Sequence, residues 1–300
     1  MKGKKALFLL FKILVSSLSL YVVFSKTDMK RTMTIIKGVG PAPFIIAALL
    51  YIVSQAISSY RWKLLLPEQF TLRRLFSLYM IGAFFSSFLP GVIGGDVVKA
   101  YYLNKDAKKL SVTLASIFMD RYLGYVSLMT IGIVAFPFTL SYFAGSVYEW
   151  LMPVILLTFV VGSLLFFALR IGRRFKVIAE FYDYFGIIRQ KKGVIVKAVL
   201  LSVVIQLIGF AAVAVLASAM GEDIPILLLL VFLPIVITIM SMPISISGLG
   251  VREVSFVALF GLIHIAPEAA TSLSLSWFFS TFIGSIPGLA AYIRHSSRLT

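Results

Sequence analysis

Apolar stretches near twenty residues long recur along this chain, and a stretch of that length crosses the hydrocarbon core of a bilayer as a helix. The runs place helices at roughly Ala6 to Phe24, Pro43 to Trp62, Ser111 to Pro137, Leu151 to Leu169, Val194 to Ala219 and Thr271 to Ile293. Lipid offers no hydrogen-bond partner, so backbone polar groups must be satisfied within each segment and the expected class is all-α. Composition agrees: 60% hydrophobic and 13% charged residues, with a mean hydropathy of +1.01, lie outside soluble usage. The expected product is a polytopic membrane protein with a single integral membrane domain over residues 1–300 and no soluble catalytic domain.

The net charge of +16 does not point to nucleic acid, because Lys and Arg cluster at the ends of the apolar runs, where the positive-inside rule puts them. The connection "RIGRRFKVIAEFYDYFGIIRQKK" carries seven Lys or Arg, whereas "SYFAGSVYEW" and "GEDIP" carry none. The first is therefore expected in the cytoplasm and the others outside, with both termini cytoplasmic and the cell membrane as the location. Lys26, Lys30, Arg31 and Lys37 run against the scheme, since it makes their segment an outside loop. The start "MKGKKALFLLFK" has a charged signal-peptide opening without a small-residue cleavage site, so it reads as a retained first helix. Zero cysteines exclude disulfides and thiol chemistry.

Two further apolar regions, about Leu75 to Leu103 and Pro225 to Ile265, are broken in the middle. "LPGVIGGDVVKAYYL" and "MPISISGLGVREVSFVALF" each hold a proline (Pro90; Pro243), glycines (Gly94, Gly95; Gly248, Gly250) and then charge opening an apolar helix (Asp96, Lys99; Arg252, Glu253). The first is flanked by basic segments and the second by segments poor in Lys and Arg, so the two dip in from opposite faces. The expected architecture is about six transmembrane helices plus two opposed re-entrant hairpins, in an inverted repeat with halves near 43–137 and 194–293.

At each tip a half-helix would aim unsatisfied N–H groups inward, and flanking glycines would let a ligand approach the backbone. An anionic group is the natural ligand, and the planar fork of Arg252 suits phosphate. Asp120 and Arg121 in "SIFMDRYLGY" lie about ten residues into their helix, roughly 15 Å deep, where ionisable groups face a polar interior. Either they lock helices together or they serve a ligand, and neighbours about 100° apart do not pair only with each other. Asp96 reads as a helix cap or a proton carrier, with Asp120 and Glu253 as further proton-coupling candidates. Lys99 reads as snorkelling to the headgroups, and Arg61 as an interfacial anchor or the first group to meet an entering headgroup. Gln206, Ser272, Ser274 and Ser276 read as helix–helix hydrogen bonders. His264 and His295 offer no metal-site spacing, and neither a metal nor a cofactor is expected.

Taken together, "SYRWKLLL", "FLPGVIGGDVVKAYYL", "DRYLGY", "SGLGVREVSF" and "SIPGLAAYI" run in order from Ser58 to Ile293. Through them the chain resembles the lysylphosphatidylglycerol synthase transmembrane region family, the flippase-like membrane domain also found in the multiple peptide resistance factor. The resemblance implies movement of an anionic or lipid-linked headgroup across the bilayer, with polyprenyl-phosphate lipids as a second substrate class. Nothing in these residues could be the aminoacyl-transferase domain of the full-length synthases.

The expected function is a lipid transporter or flippase for an anionic phospholipid or a polyprenyl-phosphate-linked lipid. Arg61, Gly94, Gly95, Arg121, Gly248, Gly250 and Arg252 form its expected binding site. A non-catalytic subunit partnering a lipid-synthesis enzyme, or an intramembrane glycosyl or phosphoryl transferase, are the alternatives. A homo-oligomer is compatible with all three.

Overall fold

The computed structural model describes residues 2–67, 70–87, 94–104, 110–242, 244–245 and 248–296. Among them there is no strand, and the chain runs through α1 (Lys2–Lys26), α2 (Met29–Gly38), α3 (Pro41–Leu65), α4 (Leu72–Ser86), α5 (Gly94–Asn104), α6 (Leu110–Ala135), the single turn α7 (Leu140–Phe143), α8 (Leu151–Leu169), α9 (Lys176–Gln190), α10 (Lys192–Ala219), α11 (Ile226–Ser241), α12 (Val251–Phe260), α13 (Pro267–Ser285) and α14 (Pro287–Ser296). Among the described residues five helical stretches are long and apolar enough to cross a membrane, and α1 with α2 makes a sixth if that bent pair is one span. The protein is an all-α polytopic membrane protein, as its apolar runs require.

Three elements differ from the sequence reading. The basic segment after α1 is not a loop: Asp28 caps α2 by accepting from Lys30 N at 2.8 Å and Arg31 N at 3.3 Å. The helix turns 85° from α1 and packs on α13, where Ser272 Oγ donates to the Thr32 carbonyl at 3.1 Å. The long basic connection contains α9, whose Phe181, Tyr184 and Ile188 pack with Leu65, Met119, Leu123 and Ala198. The last run is interrupted at Ile286 because Pro287 has no N–H to give the helical ladder, and α14 then packs on α4. Pro90 and Pro243 lie outside the described residues.

Each member of the two broken regions is too short to cross alone: α4 and α5 have 15 and 11 residues, α11 and α12 have 16 and 10, against about 20 for a full span. In each region the two short helices pack on each other. Around them α3 lies most extensively on α10, α3 also packs on α13, and α10 packs on α6.

The α4–α5 contact is made by glycine on glycine. A Cβ built on Gly95 would overlap the Gly82 carbonyl oxygen and Ser86 Oγ, and one on Gly82 would stand 2.8 Å from Lys99 Cγ. Bare backbone at both positions lets α5 sit close enough to α4 to press Lys99 beneath Tyr79. Gly95→Ala is therefore expected to force the helices apart and destabilise the protein by about 1–3 kcal/mol, the usual cost of overpacking. Thermal unfolding in detergent followed by circular dichroism checks this, with the exposed helical Gly162→Ala, which meets nothing within 4 Å, unfolding like the parent.

Candidate functional site

Several helices that are apolar by composition turn one stripe of polar and aromatic residues to a common cavity. On α3 it is Tyr51, Ser54, Gln55, Ser58 and Arg61; on α6 it is Asp120, Arg121, Gly124 and Tyr125; on α13 it is Trp277, Phe278 and Thr281. These spacings of three and four keep each stripe on a single helix face. With residues from α4, α5, α10, α11 and α12 the stripes line a half-open cavity of about 420 Å³. Asp120, Ile205 and Trp277 stand ten, thirteen and ten residues past the starts of α6, α10 and α13, about 15–20 Å along their axes.

Charge in the first half of the wall is arranged as an alternating chain. Arg61 Nε donates to Asp120 Oδ1 at 2.8 Å, and Arg61 Nη1 donates to Ser202 Oγ at 2.7 Å. The Tyr79 hydroxyl donates to the other Asp120 oxygen, while the Tyr79 ring face lies 4.1 Å from Lys99 Nζ. Lys99 Nζ reaches Asp96 Oδ1 at 2.8 Å. Arg121 grips the same carboxylate with two bonds, Nε to Oδ2 at 2.9 Å and Nη2 to Oδ1 at 3.1 Å. Arg61, Asp120, Lys99, Asp96 and Arg121 thus alternate in sign, with Tyr79 as the link between the two ion-pair groups. Four of the five side chains are nearly sealed, but that of Arg121 is 42% exposed and lines the cavity.

Across the cavity Arg252 is held differently. Its Nε donates to Glu253 Oε1 and to Ser274 Oγ, each at 3.0 Å, and its guanidinium lies 4.8 Å from the Phe278 ring centroid. Glu253 Oε2 accepts from the Gly250 N–H at 2.8 Å, so this carboxylate caps the start of α12. Among the described residues these four cations and three carboxylates leave one positive charge in excess around the cavity.

The structure brings Arg61, Arg121, Arg252, Asp96 and Asp120 to one cavity. Asp120 and Arg121 take separate partners. Arg61 is not an interfacial anchor: it is 6% exposed and its guanidinium is taken into the bundle by Asp120 and Ser202. Lys99 does not snorkel, since its ammonium is buried between Asp96 and the rings of Tyr79 and Trp62. Gly94, Gly95, Gly248, Gly250 and Glu253 do not line the cavity. The close neighbour of Gly95 is α4, that of Gly248 is Met240, and a Cβ on Gly250 would stand 2.7 Å from the Ser16 carbonyl of α1. These glycines admit protein where a ligand was expected.

Ser274 bonds Glu253, and Gln206 Nε2 donates to the Gly124 carbonyl at 3.2 Å, as expected of helix–helix hydrogen bonders. Tyr79, Ser202 and Gly124 were missed. Gly124 has a readable signal in "DRYLGY", one turn after Asp120, where an added Cβ would stand 3.5 Å from Arg61 Nη1. Tyr79 and Ser202 look like ordinary members of apolar helices.

The family described as the lysylphosphatidylglycerol synthase TM region matches residues 9–288. A UPF0104 membrane protein of Methanocaldococcus jannaschii is 22% identical, over 91% of this chain and 92% of its own length. No solved structure matches. The matched region takes in both broken helix pairs and every residue of the charged cavity, and the chain belongs to the lysylphosphatidylglycerol synthase transmembrane region family.

Proposed function

We propose that this protein is a lipid transporter that passes an anionic headgroup, that of a phospholipid or a polyprenyl-phosphate lipid, through the charged cavity while the acyl or prenyl chains stay in the bilayer. The observation that carries the reading is the unbalanced positive charge, presented by the exposed side chain of Arg121. An uncompensated cation deep in a low-dielectric bundle is costly, and a monoanionic headgroup neutralises it. The guanidinium also matches a phosphate with paired N–H donors. Both carboxylates in the wall are bound in ion pairs, which favours holding and releasing an anion over group-transfer chemistry.

The proposal includes the topology: α4–α5 and α11–α12 as opposed re-entrant pairs of two inverted halves, with both termini cytoplasmic in a cell membrane. The shortness of the four helices supports it, and so does the exchange in packing, α3 on α13 and α10 on α6, which an internal two-fold would give. The absence of cysteine gives a clean background for labelling. Cysteine at Asn104 is expected to react with an impermeant maleimide from the cytoplasmic side and cysteine at Glu222 from the other. Labelling of position 104 from outside alone would make α4 with α5 a complete crossing and remove the repeat.

Function is tested in proteoliposomes carrying fluorescent phosphatidylglycerol. Arg121→Gln is expected to lower leaflet exchange about 10- to 100-fold, the loss of one charge-assisted bond, with helical content unchanged. Wild-type exchange no faster than in empty liposomes, or normal exchange by Arg121→Gln, overturns the reading. Asp120→Ala probes structure, since it leaves Arg61 buried without its carboxylate. It is expected to cost about 3–5 kcal/mol of stability, read as a lowered thermal midpoint.

A further inference from the structure

We infer that Lys99 is a positioning residue that sets the proton balance of headgroup binding: it holds Asp96 as a carboxylate when Arg121 takes the ligand's anionic group, so that binding proceeds without proton uptake. The inference rests on the anionic-headgroup reading and goes beyond it by assigning Lys99 a role and Asp96 a protonation state.

Arg121 spends one edge, Nε and Nη2, on Asp96, and among the described residues Nη1 makes no hydrogen bond. Arg121 lines the cavity with its side chain 42% exposed, and its open edge is where an anion lands. Once it has landed, one guanidinium stands between two negative groups. Asp96 cannot turn away to relieve this, because it is the third residue of α5, whose start is seated against Gly82. Two anions sharing one cation in a low-dielectric site resolve by protonating one of them unless a second cation is present. Lys99 is that cation, 2.8 Å from Asp96 Oδ1 and fixed over the Tyr79 ring.

The other charged or titratable groups facing Asp96 do not replace it. From α4 comes Tyr79, whose hydroxyl is committed to Asp120; from α6 come Arg121 itself and Asp120. Arg61 of α3 is a further link away and is paired to Asp120. A lysine whose side chain is 3% exposed inside an apolar bundle is costly to keep, and supplying the second positive charge to a carboxylate that shares its first with a ligand accounts for it.

The test uses the full chain in detergent with dioctanoyl phosphatidylglycerol, a phosphodiester that does not itself titrate near neutrality. Binding is measured by calorimetry between about pH 6 and 8 in buffers of different ionisation enthalpy, which counts protons taken up. Wild type is expected to bind with no net proton uptake and a flat pH profile. Lys99→Met is expected to take up about one proton per ligand and to lose affinity by up to about tenfold per unit rise in pH. Lys99→Arg is expected to restore the flat profile, and Asp96→Asn added to Lys99→Met to abolish the proton uptake. A Lys99→Met protein with the wild-type proton count overturns the inference. If Lys99→Met fails to fold, wild type alone decides, because uptake of about one proton by wild type also overturns it. Absence of saturable wild-type binding overturns the headgroup reading and this inference together.

Discussion

Charge that must be balanced inside an apolar bundle governs this structure. An ion in the membrane interior is tolerated only with a partner at hydrogen-bond distance. Here the partners come from different helices: α3 supplies Arg61, α4 supplies Tyr79, α5 supplies Asp96 and Lys99, α6 supplies Asp120 and Arg121, and α10 supplies Ser202. Each bond therefore fixes the height and rotation of one helix against another. The apolar clusters around the cavity, such as Trp62, Leu75, Leu78 and Leu103 on one side and Phe232, Phe256 and Phe260 on another, fill the volume but are far less directional. The glycine contact between α4 and α5 serves the same end, since it lets Lys99 reach both the Tyr79 ring and Asp96.

The spans were legible because the bilayer imposes a length, and α8 runs over Leu151–Leu169, the bounds read from its apolar run. Helices lying outside that rule were not read. α2 carries three cations in ten residues, so no hydropathy window finds it, although Asp28 ahead of it is an ordinary cap. In α9 the recurrence of Ile178, Phe181, Phe185 and Ile188 is a helical period, but the cations on either side mark the segment first as a basic loop.

At the site, the identity of the charged residues was legible and their partners were not. Asp120 and Arg121 stand out because any ion ten residues into an apolar helix must have a reason to be there. Arg61 and Lys99 stand near the ends of their apolar runs, where the commonest fate of a cation is to snorkel. Only tertiary structure shows that Arg61 meets Asp120, 59 positions away. The glycines were misassigned for a related reason. Bare backbone in a break is equally suited to a ligand and to a neighbouring helix, and sequence does not say which one occupies the space.

The two broken pairs are chemically unequal, and the inequality bears on how the cavity works. At α12 the cation and carboxylate are adjacent residues, both almost fully buried, with Gly250, Ser274 and Phe278 completing their environment. That arrangement is neutral and closed, with α1 packed over the glycine at its start. At α5 the carboxylate is shared by two cations, and the side chain of one of them, Arg121, is open to the cavity while that of Lys99 is buried. The field inside is therefore lopsided, with the surplus charge on the α5–α6 wall. On the proposed reading an anion in the cavity is drawn first to Arg121, while Arg252 lies across the cavity with its charge already matched by Glu253. For the proposed transporter, a site with one open cation and one satisfied cation would hold a monoanion without meeting it with two full charges. Such moderate holding is what the proposed transport would need, because a headgroup held by two full charges would not be released.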